Sequence, residues 1–203
     1  MSREHFGISA AAILLAALIY FVADVDKILA LLIPALFHEL GHVFTLRLLG
    51  LRISGFRAEL KGLCIGYSGY TGALGHALAA AAGPLWGLIY AMAASLLAQR
   101  LACQWLELSA GVSLLLSLFN LLPALPLDGG RILYALSSPF MSEASARRLV
   151  DISSLVVGLM LLALGTYLML RGFGAAMDLA AIWLLAYTGT APAARLSGQK
   201  ELI

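Results

Sequence analysis

Long apolar runs alternate along the chain with short polar clusters, and the clusters divide it into elements. A hydrocarbon core of about 30 Å takes about 20 helical residues. On that ruler the pattern predicts spans at 8–23, 28–49, 74–98, 152–170 and 175–188, and a further one that begins near Leu106 and is interrupted after Asn120. Asp24-Val25-Asp26-Lys27 separates the first two. Residues 8–23 lead straight into more membrane sequence, so they are expected to be a span and not a cleaved leader. Between the second and third spans the period changes to two: Phe56, Ala58 and Leu60 alternate with Arg57, Glu59 and Lys61, and Lys61-Gly62 turns into Leu63, Ile65 and Tyr67. This predicts a small β-hairpin. Open strand edges are not tolerated against lipid, so it must pack on protein or lie in the interface. Near an active site, such an edge is able to pair with an extended peptide.

Composition makes lipid the solvent: of 203 residues, 62% are hydrophobic and 12% charged, against about 45–50% and about 25% in soluble domains. The net charge of +2 comes with no basic block, and no nucleic-acid partner is expected. Cys64 and Cys103 do not make a disulfide framework. Lys and Arg positions orient the spans. With a cytoplasmic N-terminus, that side collects Arg3, Arg47, Arg52, Arg57, Lys61, Arg147, Arg148, Arg195 and Lys200, while Lys27, Arg100 and Arg171 fall opposite. Arg131 belongs to the interrupted span. The expected fold is an all-α polytopic membrane protein of about six transmembrane helices, with both termini and the β-hairpin on the cytoplasmic side. It forms one membrane-embedded domain over 1–203, with a core at 28–138 and peripheral helices at 8–23, 152–170 and 175–188.

Into the apolar second span falls His38-Glu39-Leu40-Gly41-His42. Positions i and i+4 share a helix face, so the two imidazoles can hold one ion between them. A carboxylate at membrane depth costs roughly 2.5–3.5 kcal/mol, so Glu39 is expected to have a use. His-Glu-x-x-His is the zinc-hydrolase spacing. The second landmark is the break Asn120-Leu121-Leu122-Pro123-Ala124-Leu125-Pro126-Leu127-Asp128-Gly129-Gly130-Arg131. Two prolines three apart remove helix hydrogen bonds, and in lipid such a break survives only against protein or a wet cavity. With the following half-helix ending near Ser138 and the second span near Leu49, Asp128 and His38 both lie roughly 15 Å from the cytoplasmic face. Equal depth is what a shared metal requires. His76 lacks a partner at ligand spacing and reads as a packed or interfacial histidine. Gly83 and Gly87 read as close helix packing.

These residues resemble the site-2 protease family of intramembrane zinc metalloproteases over roughly 28–131. His38-Glu39-Leu40-Gly41-His42 matches the family's His-Glu-x-x-His, and Asn120-x-x-Pro123-x-x-x-x-Asp128-Gly129 its second metal-site motif. Gly83-x-x-x-Gly87 is similar to a further element in which many members carry asparagine at the last position. The resemblance implies one zinc per chain, ligated by His38, His42 and Asp128, with water in the fourth position. Glu39 is then the base that takes the proton of that water and passes it to the leaving nitrogen. Asn120 either orients the scissile peptide and its oxyanion or caps backbone freed by the prolines. The layout is similar to the branch that processes a sporulation pro-sigma factor, without its C-terminal cystathionine-β-synthase-type domain and without a PDZ insertion. A bacterial cytoplasmic membrane is the implied location. The implied activity is hydrolysis within or near transmembrane segments of a membrane-protein substrate, as in regulated intramembrane proteolysis. Selection then falls to the membrane domain or to a regulatory membrane partner. The alternatives are a zinc transporter, which a broken membrane helix also suits, and an inactive relative that binds membrane helices without cutting.

Overall fold

The computed structural model describes residues 5–8, 24–59, 62–69, 71–172 and 176–190. Its elements in chain order are β1 (His5–Ile8), α1 (Val25–Leu48), β2 (Arg52–Glu59), β3 (Gly62–Ser68), α2 (Ala73–Leu101), α3 (Gln104–Asn120), α4 (Asp128–Ser137), α5 (Glu143–Leu170) and α6 (Ala176–Thr190). They fall into two compact units. The first holds β1 through β3 with α1, α3 and α2 from Leu78 onward; the second holds the start of α2 and everything described after Asn120.

In the first unit α1 is apolar almost all round, and its buried stripe is its most polar one. Ala30, Pro34, His38, Gly41, His42 and Leu46 are buried, while Leu29, Leu32, Leu36, Leu40 and Phe44 face outward. That inversion is the pattern of a helix whose outer solvent is lipid. The α1 and α3 starts are tied by Trp105 Nε1, which donates to the Asp26 carbonyl at 2.8 Å. The sheet has the order β1-β2-β3, β1 parallel and β3 antiparallel to β2, with Phe56 opposite Ile65 and a register shift between Ile53 and Gly55. Leu46, Leu51, Ile65, Tyr67 and Ala79 form a small core that seats the sheet on the ends of α1 and α2. The predicted hairpin is therefore present and packed on protein. The third strand corrects the expectation at Ile8, which closes β1 where the hydropathy pattern started a helix. Four residues in parallel pairing with a segment some fifty positions away leave no local period to read.

The second unit begins with the first turn of α2, resumes after Asn120 with the proline segment, and runs through α4, α5 and α6. Ser142 caps α5, accepting from the Ser145 amide at 3.2 Å. The helix thus starts at Glu143, well before the predicted 152. Gly158 packs against Leu185 and Gly165 against Asp178, so α5 and α6 approach on small residues. Among the described residues three helices are long and apolar enough to cross a membrane: Val25–Leu48, Ala73–Leu101 and Glu143–Leu170. The interrupted span is two helices of 17 and 10 residues, α3 and α4. The last predicted span is α6, a shorter apolar helix. Of the predicted span 8–23, all but Ile8 lies outside the described residues.

Candidate active site

In α1 the His38 and His42 side chains are only 5% and 2% exposed. Their Nε2 atoms approach to 3.3 Å, with the rings edge-on at 75°. His42 Nδ1 lies 2.8 Å from the Ala79 carbonyl of α2. A carbonyl only accepts, so the proton sits on Nδ1 and Nε2 carries the lone pair, which is the tautomer that ligates a metal through Nε2. Two nitrogens on one tetrahedral zinc, each about 2.0–2.1 Å from it, are separated by about 3.3–3.4 Å. The histidine edge matches that separation. A Cβ on Gly83 would run into His42 Nε2 and lie 2.7 Å from His38 Nε2. Only glycine leaves the edge open. One turn of α1 below, a Cβ on Gly41 would lie 2.7 Å from the Ala82 carbonyl and 2.8 Å from Trp86 Cβ, so glycine also sets the α1–α2 approach. Glu39 is half-buried beside His38.

Asp128 is placed by different means, in the second unit. It is the first residue of α4, follows an extended Leu127, and is 5% exposed. A carboxylate is favoured there by the unsatisfied amides of a helix N-terminus. Arg131 Nη1 stands 3.6 Å from Asp128 Oδ1. The preceding loop folds back tightly onto the helix. A Cβ on Gly129 would strike the Leu121 and Leu122 carbonyl oxygens, and one on Gly130 would lie 2.5 Å from the Ala124 carbonyl carbon. Backbone freed by the prolines is satisfied from α5: Ser154 Oγ accepts from the Leu125 amide at 2.9 Å, and Ser153 Oγ donates to the Pro123 carbonyl.

Those two serines carry the aspartate's loop and were not singled out from the sequence. Their only signal was a pair of adjacent hydroxyls in an apolar run. Asn120, at the end of α3, donates from Nδ2 to the Leu116 carbonyl at 3.0 Å, on its own helix. His76 is exposed in the first turn of α2.

Residues 72–164 match the family model described as Peptidase family M50, a stretch that includes Gly83, Asn120 and Asp128. No curated protein matches in sequence. In fold the chain is similar to the Site-2 Protease from Methanocaldococcus jannaschii, with a TM-score of 0.66 at 21% identity over 87% of this chain and 83% of that one. The resemblance to this family is borne out over 72–164, a stretch that holds the second motif and not His38–His42, and the mostly helical fold with its small sheet is borne out as well.

Proposed function

We propose that this chain, an integral membrane protein of the Peptidase family M50 kind with a site-2 protease fold, is a zinc-dependent intramembrane protease. In this reading His38, His42 and Asp128 are the ligands of one zinc ion per chain. The single observation that carries it is the pair of buried Nε2 atoms at 3.3 Å, with the His42 tautomer fixed by Ala79. Asp128 adds the anionic donor such a set requires, from a buried position at a helix start. The chemistry that zinc supplies there is Lewis acidity, which makes water nucleophilic near neutral pH.

Glu39 is the general base. It takes a proton from water as oxygen attacks the scissile carbonyl, then delivers that proton to the amide nitrogen as the C–N bond breaks. The substrate is a membrane protein cut within or near its transmembrane segment. A peptide in an intact helix has its carbonyl bonded and its backbone shielded, so a segment weakened by Gly, Pro or Asn is the one cut. Selection belongs to the membrane domain or to a regulatory membrane partner. The host is a bacterial cytoplasmic membrane, with both termini in the cytoplasm.

The test is purified chain with a labelled single-span peptide, zinc being counted per chain. Glu39→Gln should keep about one zinc and lose about 10²–10⁴ in rate. Asp128→Asn should lose zinc and regain part of its activity in excess zinc, since a weak neutral donor replaces an anionic one. The opposite pattern exchanges the two roles. Wild-type cutting by both variants overturns the protease reading.

A further inference from the structure

Ser109, Ser113 and Ser117 lie one turn apart down one face of α3, and none has exposed surface. Two of them bond to α2. Ser109 Oγ pairs with Tyr90 OH at 2.7 Å, and Ser113 Oγ donates to the Gly87 carbonyl at 2.8 Å. Ser117 Oγ is buried with no hydrogen-bond partner among the described residues. A buried hydroxyl left in that state is destabilising, and alanine would remove the cost. Its presence calls for a partner beyond the described residues.

Its position says which partner. A Cβ on Gly87 would overlap Ser117 Oγ, so the hydroxyl rests directly on the bare backbone of Gly87. Gly83, four residues earlier on α2, rests in the same way on the Nε2 atoms of His38 and His42. Four residues of helix advance about 6 Å, and two residues of extended chain cover about 6.6 Å. Two side-chain-free positions on α2 thus mark a lane, with the histidine edge at one end and an unpaired hydroxyl at the other. A peptide lying in this lane with its scissile bond at the histidines brings a backbone group to Ser117 two residues along.

We infer that Ser117 hydrogen-bonds the substrate backbone about two residues from the scissile bond. The role rests on the protease reading above. Gly83 and Gly87 are buried directly against these side chains, so the peptide that makes this bond has to part them from α2. Gly87 stays glycine because any side chain there would take the place of the hydroxyl.

The experiment uses full-length chain and the same single-span peptide. Ser117→Ala should lower kcat/KM about tenfold, the loss of one hydrogen bond, while it keeps one zinc and a thermal midpoint no lower than wild type. In that background a Cβ at position 87 has its nearest neighbours, Ser117 Cβ and Ser113 Oγ, at 3.6 Å, which is ordinary contact. Gly87→Ser with Ser117→Ala therefore returns a hydroxyl to the same place from the facing helix and should recover most of the rate. Gly87→Ala with Ser117→Ala returns only the volume and should stay slow. Equal recovery by the two double variants, or wild-type cutting by Ser117→Ala, overturns the role of the hydroxyl and leaves the protease reading standing. A wild-type chain that binds zinc and cuts no peptide overturns both.

Discussion

In α1 two donors sit on an unbroken helix of 24 residues, where the i, i+4 interval alone puts their imidazoles on one face. That arrangement needs little from elsewhere: one carbonyl, at Ala79, to fix a tautomer, and one missing side chain, at Gly83, to leave room. Asp128 opens a helix of 10 residues behind two prolines, and the loop before it holds its shape through two glycines and two serines of another helix. The first arrangement is local and backed by regular secondary structure. The second is a backbone shape assembled from parts up to thirty residues apart. Damage near the histidines should therefore show up as lost chemistry in a folded protein, and damage near the aspartate as lost folding.

Gly83→Ala is the sharpest test of the first half and carries the largest expected effect. The new methyl would occupy the space in front of both Nε2 atoms. Partners that merely orient ligands are typically worth about 10–100-fold in metal affinity, and a methyl on the donor atoms themselves should cost at least the upper end. Cleavage should fall to the level of Glu39→Gln, with a thermal midpoint near that of wild type. If zinc and cleavage both survive Gly83→Ala, the histidine edge is not where the metal binds.

Gly129→Ala probes the other half. Its methyl would meet two backbone oxygens that cannot turn aside. Overpacking of this kind costs about 1–3 kcal/mol and occasionally more. At about 2–4 °C per kcal/mol for a chain of this size, the midpoint in detergent should fall by roughly 5–10 °C, with zinc lost alongside. A variant that loses zinc but melts at the wild-type temperature would erase the contrast between the regions.

Ser154→Ala should be milder. It removes the acceptor of the Leu125 amide and the group that in turn donates to the Val150 carbonyl at 2.7 Å. Leaving such a group unsatisfied costs about 1–3 kcal/mol. Cleavage should drop several-fold and the midpoint by a few degrees. Ser153→Ala should do less, because an orphaned carbonyl has a second lone pair and an amide has one proton.

The same contrast decides what could be read from sequence. His38, Glu39 and His42 were legible because helix periodicity is a local rule, and Asp128 because two prolines three apart flag a broken helix directly before it. Ser153 and Ser154 were not, since what they bond to lies on another segment and no interval within their own helix marks it. The start of α5 was missed for a related reason. A hydropathy ruler measures depth in lipid, and Glu143, Arg147 and Asp151 lie on a helix that continues past it under a Ser142 cap. Ser117 is a polar residue in an apolar helix, and only the lack of a partner among the described residues distinguishes it from its two bonded neighbours.

Asn120 is the last residue of its stretch of the first unit and should give the smallest effect. Sequence left it either on the substrate oxyanion or on freed backbone. In the folded chain its amide nitrogen is engaged with the Leu116 carbonyl, one turn back on α3, and the proline segment is bonded by the side chains of Ser153 and Ser154. A donor already spent on its own helix is poorly placed to stabilise a developing oxyanion, which calls for a group preorganised at that point. Asn120→Ala should therefore cost about 0.5–1.5 kcal/mol of stability and less than about tenfold in cleavage. Asn120→Asp should be less stable than the alanine variant, because a carboxylate has no proton to offer Leu116 and would face its oxygen. An oxyanion donor behaves differently, its removal costing about 10²–10³ in kcat. A loss of that size from Asn120→Ala, with zinc and midpoint intact, would move this side chain onto the substrate and show that the bond to Leu116 is exchanged when the peptide arrives.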